Sequence, residues 1–559
     1  MAHTHWKILS EIEKPFSIEG VHSLVVRLIS NRGISTASDA DSFLKADQRL
    51  CVDPFLLPDM HMAVNRVYQA LLSGEKIAVY GDFDADGITA TALLVQGLKE
   101  LGGDVIPYIP HRFYEGYGLK IAALEKLRKQ GVTLVITVDT GITAFSEIEK
   151  AHKMGMDILV TDHHVPLIEL PPARIIVDPK RIDSKCPFVD FAGVGVAFKL
   201  LQAVLTGSNK DEVIKNSLEL VTLGTITDMS PLLSENRYWV KTGLRLLNNT
   251  NRVGLIELMN CANIDRRRLS AETISYQIGP RLNSAGRLDD AETSYRLLTT
   301  CDRVEASMLA MELEEKNKER QKIVADTYEK AHRQILEDGT DRPILMAADS
   351  DYPAGVMGLV AGRLAEEFYR PVILFKIGPE MCRGSARSIQ ELDLMEALKS
   401  CDHLLSRYGG HAMAAGFNVY TRDLQQFQKE MREYAEKKLT GIDLRPHIDI
   451  DAEVPLSIFS GGLFEEIRQM EPHGVGNPCP VFLSRNVEVV EQRQMGIQND
   501  HIRLKLKQDG VIWDAVGFRL GTYIGELSNH IDIVYSIQED NFNGQSQLRL
   551  NLLDFDRSR

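Results

Sequence analysis

The sequence has no long apolar run. Nothing in its 559 residues approaches the about 20 consecutive apolar positions of a membrane-spanning helix, and the opening MAHTHWKILSEIEK lacks the hydrophobic centre of a signal peptide. A cytoplasmic protein with no membrane partner is the expectation. Cysteine is scarce as well. The seven, at positions 51, 186, 261, 301, 382, 401 and 479, are scattered, odd in number and free of CxxC spacing. That argues against a disulfide framework and against a zinc site, and fits a reducing compartment. Positive charge is in deficit: 64 Lys and Arg against 78 Asp and Glu leave a formal charge of −14, which at first sight disfavours a nucleic-acid partner. The exclusion is weak, because acids gathered around divalent cations are locally neutralised and only the track a polyanion follows has to be basic.

What the sequence does have is KIAVYGDFDADGITAT, residues 76–91. A strand-like run, Lys76 to Tyr80, enters a turn with acids at every second position, Asp82, Asp84 and Asp86. Gly87 then leads into a segment whose Ala90, Leu93, Leu94 and Leu98 recur at helical spacing. An Asp-rich turn alone is a common helix-capping loop. Three acids this close, however, raise one another's pKa unless a cation sits among them, and oxygen-rich clusters suit hard divalent ions.

The stretch to about residue 180 alternates strand patterns (76–80, 105–109, 133–138, 157–160, 174–177) with helical ones such as 121–130 and 145–154, which predicts a doubly wound parallel sheet. Such sheets present their sites beyond the carboxyl ends of the strands. Asp139 follows the third strand, Asp162, His163 and His164 follow the fourth, and Asp228 ends the later apolar run LELVTLGTITD. Asp178 has a similar setting and reads as a turn residue. Carboxylates with one or two imidazoles form a ligand set for Mn²⁺ or Mg²⁺, the nitrogen donor favouring Mn²⁺. A bridging carboxylate, for which Asp139 is the candidate, is what a two-ion hydrolytic site requires.

In their order, GDFDADG, VDTG, TDHH and GTITD resemble the successive motifs of the DHH phosphoesterase superfamily, and GGHAMAAGF at 409–417 resembles the signature of its associated DHHA1 domain. With GPRLNSAGR, GVMGLVAGRL, GSARS and a C-terminal all-β module, the series is similar to the RecJ-type 5′ to 3′ exonucleases specific for single-stranded DNA, from about residue 50 to the end. The resemblance implies two ions, Mn²⁺ or Mg²⁺, held by Asp82, Asp84, Asp139, His163 and Asp228. It also implies His164 orienting a ligand or the attacking water with Asp162 behind it, and Asp86 as a further acid of the catalytic group. One departure stands out: Tyr352-Pro353 occupies the place of the family's usual Trp-His.

For substrate handling, PHRFYEGYGL at 110–119 offers Arg112 to phosphate and Tyr114 and Tyr117 to bases. Ser385, Arg387 and His411, in glycine-rich stretches whose backbone N–H groups could approach phosphates, and Arg281 and Asn283 are expected to hold the terminal phosphate. Strands 501–507, with Arg503, Lys505 and Lys507 alternating with apolar residues, and the hairpin turns Asp509-Gly510 and Asn543-Gly544 predict a small barrel, an OB-fold by the resemblance, with a basic single-strand track.

The expected layout is a lead-in (1–58), a DHH domain with helical extension (59–300), a connecting helix (301–339) setting two lobes across a cleft, a DHHA1 domain (340–443) and the OB-fold (444–559). The expected activity is removal of 5′ mononucleotides from single-stranded DNA in repair and recombination by a monomer, with a single-strand-binding protein and a helicase as candidate protein partners. The alternatives are a phosphodiesterase of short oligonucleotides or cyclic dinucleotides, and a non-catalytic replication scaffold.

Overall fold

Lys76–Tyr80 is buried from Ile77 onward because it is an inner strand of a parallel sheet, flanked by Asp104–Tyr108 on one side and Val132–Thr137 on the other. Asp157–Thr161 and Ile175–Val177 complete five strands, and the order 104–108, 76–80, 132–137, 157–161, 175–177 reverses direction of growth between the first and third strands in sequence. Both faces are covered, so the strands read as near-continuous apolar runs. The computed structural model describes residues 4–10, 16–459, 461–496, 498–542 and 545–558. The turn expected at Asn543-Gly544 lies outside the described residues. No helix among the described residues is long and apolar enough to cross a membrane.

The chain forms two units, Met1–Glu314 with Ile448–Arg559, and Glu315–His447. In the first, helices Ala85–Lys99, Gly193–Leu205 and Asp211–Thr227 pack together beside the sheet. The C-terminal module is a closed barrel: Phe482–Met495 pairs with both His501–Gln508 and His530–Phe542, and Val511–Gly517 and Gln545–Arg557 complete the ring. The hairpin turn at Asp509-Gly510 is as the sequence predicts, two residues with φ of 49° and 81° between Gln508 and Val511.

The lead-in departs from expectation, being part of the barrel's core. Leu24, Leu28, Ile29 and Phe43 of its helices Ser23–Ser30 and Ala37–Lys45 are buried in one cluster with Leu456, Phe459, Phe482 and Trp513. The Trp6 indole donates to Asp554 at 2.8 Å. A second departure concerns the basic strand. Arg503, Lys505 and Lys507 pair with Asp514 (3.3 Å), Glu491 (2.8 Å) and Glu488 (3.3 Å), so acids on the neighbouring strands neutralise the face read as a single-strand track.

In the second unit a five-stranded sheet runs Leu405–His411, Ala414–Tyr420, Met381–Arg387, Val372–Lys376, Leu345–Asp349, with only the last pair parallel. GSARS therefore lies in an inner strand, and its backbone is committed to two neighbours instead of a phosphate loop. Gly384 makes room for the Phe417 ring, which a Cβ would meet at 2.3 Å. The charge-laced segment forms the expected helix, Arg303–Asp338.

Arg237, on helix Ser234–Leu247, is wholly buried and joins three segments of the first unit. Its guanidinium donates to the carbonyls of Phe43, Gln469, Met470, Glu471 and Pro472, at 2.8 to 3.4 Å, and lies 3.9 Å from the Phe43 ring centre. Arg237→Ala leaves these carbonyls without their donor and should cost at least about 3 kcal/mol, read as a lower unfolding midpoint in urea. Arg237→Lys should not rescue it, because an ammonium lacks the planar fork that reaches all of them.

Candidate metal centre

The sheet's reversal point lies between strands Lys76–Tyr80 and Val132–Thr137, and the loops leaving these two strands carry Asp82, Asp84 and Asp139. Asp84 caps helix Ala85–Lys99, its Oδ1 accepting from the N–H groups of Asp86 (3.0 Å) and Gly87 (3.1 Å). Gly87 is required by close approach, since a Cβ there would stand 2.5 Å from the Asp82 nitrogen. Asp139 has φ of 60°, a left-handed conformation that Asp tolerates better than most residues.

Ligand atoms of Asp82, Asp84 and Asp139 lie within 4.8 Å of one another, as do those of Asp139, His163 and His164, and those of Asp86, His163 and Asp228. The groups overlap at Asp139 and His163. His163 Nε2 is 3.0 Å from Asp139 Oδ1 and 4.0 Å from Asp86 Oδ2. Burial, reinforced by Asp84 for Asp82 and Asp139 and by Asp139 for Asp86, pushes these three carboxyls well above the usual carboxylate range; burial also raises Asp228. Burial opposes a charged His163, yet Asp228 and Asp86 raise its pKa.

The sequence-predicted residues thus converge, with distinct settings. Asp162 is wholly buried and saturated: Oδ1 accepts from His163 N (2.7 Å) and His164 N (3.2 Å) and lies 2.7 Å from His164 Nδ1, while Oδ2 accepts from Ile142 N (3.0 Å). Burial disfavours its charge, but the His164 imidazole brings it down to about 2, and Asp162 in turn holds His164 up at about 9 against burial. The Tyr117 hydroxyl stands 3.4 Å from His164 Nδ1. The Arg112 guanidinium lies 4.7 Å over the Phe83 ring, where its charge favours ionised Asp82.

Other residues have different employment. Asp86 receives the N–H groups of Gly193 (2.6 Å) and Val194 (2.8 Å), the first residues of helix Gly193–Leu205. Asp178 is buried with Oδ2 lacking a hydrogen-bond partner, and burial and then Asp162 push it up to about 7, so it is more than a surface turn residue. Arg281 is ion-paired to Glu314 at 2.6 Å, and Asn283 Oδ1 accepts from Ala85 N at 2.8 Å. In the second unit, a Cβ on Gly358 would lie 2.9 Å from the Arg387 guanidinium and 3.2 Å from Ser385 Oγ, so both side chains border the start of helix Met357–Phe368; His411 is exposed at the end of its strand. Tyr352, in the place of the usual Trp, is buried and donates to Gln334 Oε1 at 3.0 Å.

Asp82 Oδ1 is buried without a hydrogen-bond partner. An orphaned carboxylate oxygen among carboxyls that burial and repulsion drive towards protonation, with imidazole nitrogen beside them, fits a divalent cation of the Mn²⁺ or Mg²⁺ kind.

Residues 76–225 match the DHH family N-terminal domain, 341–437 the DHHA1 domain and 450–554 the RecJ OB domain. The chain is 37% identical to the single-stranded-DNA-specific exonuclease RecJ of Bacillus subtilis over 95% of its own length and 67% of that protein's. It is 32% identical to the Escherichia coli RecJ over 94% of each. The chain belongs to the RecJ family of single-stranded-DNA-specific exonucleases. It is accordingly a hydrolase with a DHH phosphoesterase domain. The crystal structure of RecJ in complex with Mn²⁺ from Thermus thermophilus superposes with a TM-score of 0.84 at 29% identity, covering all of this chain and 80% of that one. A Mg²⁺ complex of the same protein gives 0.79 at 28% identity, covering all of this chain and 79% of that one.

RecJ family motifs do not by themselves reveal why Gly193 is glycine. A Cβ there would stand 2.4 Å from Asp139 Cβ, so the helix that Asp86 clamps can approach Asp139 only without a side chain. Its signal in the sequence is the pair of glycines in AGVGVAF opening an apolar helix. Gly193→Ala should displace Asp139 and lower exonuclease rate by about 100-fold or more, as small misplacements of catalytic groups do. Weaker Mn²⁺ binding by calorimetry, with an unchanged circular-dichroism spectrum, would accompany it.

Proposed function

We propose that the chain releases mononucleotides from the 5′ end of single-stranded DNA, using two divalent ions, and serves DNA repair and recombination. The overlap of the acid groups at Asp139 and His163 carries this reading. Asp82, Asp84, Asp139, His163 and Asp228 would hold the ions, Asp139 being shared. When bound, the ions supply Lewis-acid charge to the phosphodiester. Asp162 fixes the His164 ring through Nδ1, which turns Nε2 away from Asp162 to orient a ligand or the attacking water. Asp86 positions helix Gly193–Leu205 against Asp139. Arg112 would take a phosphate and Tyr117 a base or sugar.

Arg387, Ser385 and His411 are offered as contacts to the terminal phosphate. Among the described residues Arg387 has no carboxylate within ion-pair distance, which supports that role. Arg281 would have to exchange Glu314 for a phosphate, and Asn283 acts first by holding the turn that carries Asp82 and Asp84. A phosphodiesterase of very short oligonucleotides has less support, since the RecJ OB domain is present over residues 450–554.

Digestion of single-stranded DNA with Mn²⁺, comparing 5′- and 3′-labelled strands, tests the reading. Immediate release of the 5′ label as mononucleotide, absent with His163→Ala, is the expected outcome. Release of the 3′ label first would reverse the polarity, and binding without release from either strand would favour the scaffold.

A further inference from the structure

Helix Asp211–Thr227 closes on Asp228 in a two-bond C-terminal motif: Met229 N donates to Ile226 O at 3.1 Å and Ser230 N to Thr225 O at 3.2 Å. This is the Schellman pattern, whose residue after the cap takes the left-handed conformation and is usually glycine. Here it is Met229, with φ of 61°. A long side chain in that conformation is unfavourable for an L-residue. It also gains little by burial, since Met229 is 67% exposed.

Single exposed apolar residues are ordinary on protein surfaces. This one combines a backbone that favours glycine, a side chain the protein leaves mostly exposed, and direct covalent attachment to Asp228, whose Oδ2 accepts from Ser230 Oγ at 2.7 Å. Two costs at one position, beside the metal centre, point to a use for the side chain outside the folded protein.

The surroundings say what it would touch. The centre's own side chains are carboxylates and imidazoles. Phosphates would be met by cations, and only the base and sugar of a nucleotide offer apolar surface. An unbranched, polarisable thioether rests against any aromatic face without reading its hydrogen-bonding edge, which suits contact with a base of any identity.

We infer that Met229 is a substrate contact: its thioether packs against the base of the nucleotide being removed, holding the first phosphodiester over the acid cluster without base preference. The inference rests on the exonuclease reading above and adds a residue that the motif series does not include.

The test compares 5′-labelled single strands whose terminal nucleotide carries a base or is abasic. Wild-type protein should prefer the base-bearing end. In Met229→Ala and Met229→Gly that preference, as a ratio of kcat/KM values, should fall about two- to twelvefold, the range of a thioether–aromatic contact, and Met229→Leu should recover part of it. Met229→Gly is the decisive variant, because it suits the left-handed backbone and cannot be accused of unfolding the turn; its Mn²⁺ binding should match wild type. Equal losses on both strands, or no change in the ratio, would overturn the contact. The same ratio read as Kd by fluorescence anisotropy needs no turnover, so a wild-type protein that binds but does not cut would sink the exonuclease reading while still deciding this one.

Discussion

Buried negative charge in one small volume is the constraint on which the catalytic unit is built. Asp82, Asp86 and Asp139 are each less than about a twentieth exposed, and carboxylates so placed repel one another with little solvent between them. The fold answers with oriented N–H groups. Helix Ala85–Lys99 begins at Asp84 and helix Gly193–Leu205 begins at Asp86, so two helix N-termini, the ends that favour negative charge, converge on the cluster. Asp162 is stabilised by three backbone N–H groups and the His164 ring. What these donors leave unmet, above all Asp82 Oδ1, is the part a divalent ion would satisfy.

The same constraint explains the small residues around the centre. Gly87 and Gly193 lie where a helix start passes within contact distance of Asp82 and Asp139. They bring two helix ends to the cluster at once, which no rearrangement of side chains could do. Asp139, in a left-handed conformation itself, is pressed between the sheet end and helix Gly193–Leu205. A strained backbone held by its surroundings is a usual companion of a preorganised site.

Much of this was legible in the sequence because it is local. Strand, acidic turn and helix follow within 76–101, the carboxyl ends of successive strands carry the acids, and Asp509-Gly510 writes its own turn. What escaped is what depends on partners distant in the chain. Trp6 and Asp554 are 548 residues apart, and nothing near either announces the contact. The cationic side chains of 501–507 look like a track until Glu488, Glu491 and Asp514 on the adjoining strands are seen beside them. Asp86 reads as one more acid of the motif, whereas its partners begin at Gly193. Met229 carries no local signal because its oddity is a φ angle, invisible in composition.

These distant pairings change the standing of the C-terminal module. A barrel expected to be an appended nucleic-acid-binding domain instead shares its core with the first helices of the chain and takes Arg237 of the catalytic region against four successive carbonyls, Gln469 to Pro472. The loop that follows these carbonyls reaches back to the metal centre. Val475 O accepts from Leu232 N at 2.7 Å, four residues beyond Asp228, and Gly474 and Gly476 fit against Leu232 and Leu233. Removing the barrel would therefore loosen the turn that presents Asp228, expose the apolar faces of Ser23–Ser30 and Ala37–Lys45, and strand a buried guanidinium. The barrel and the turn that carries Asp228 are joined through this loop. A truncated chain reports on the integrity of the metal centre at least as much as on the affinity of a separate binding domain.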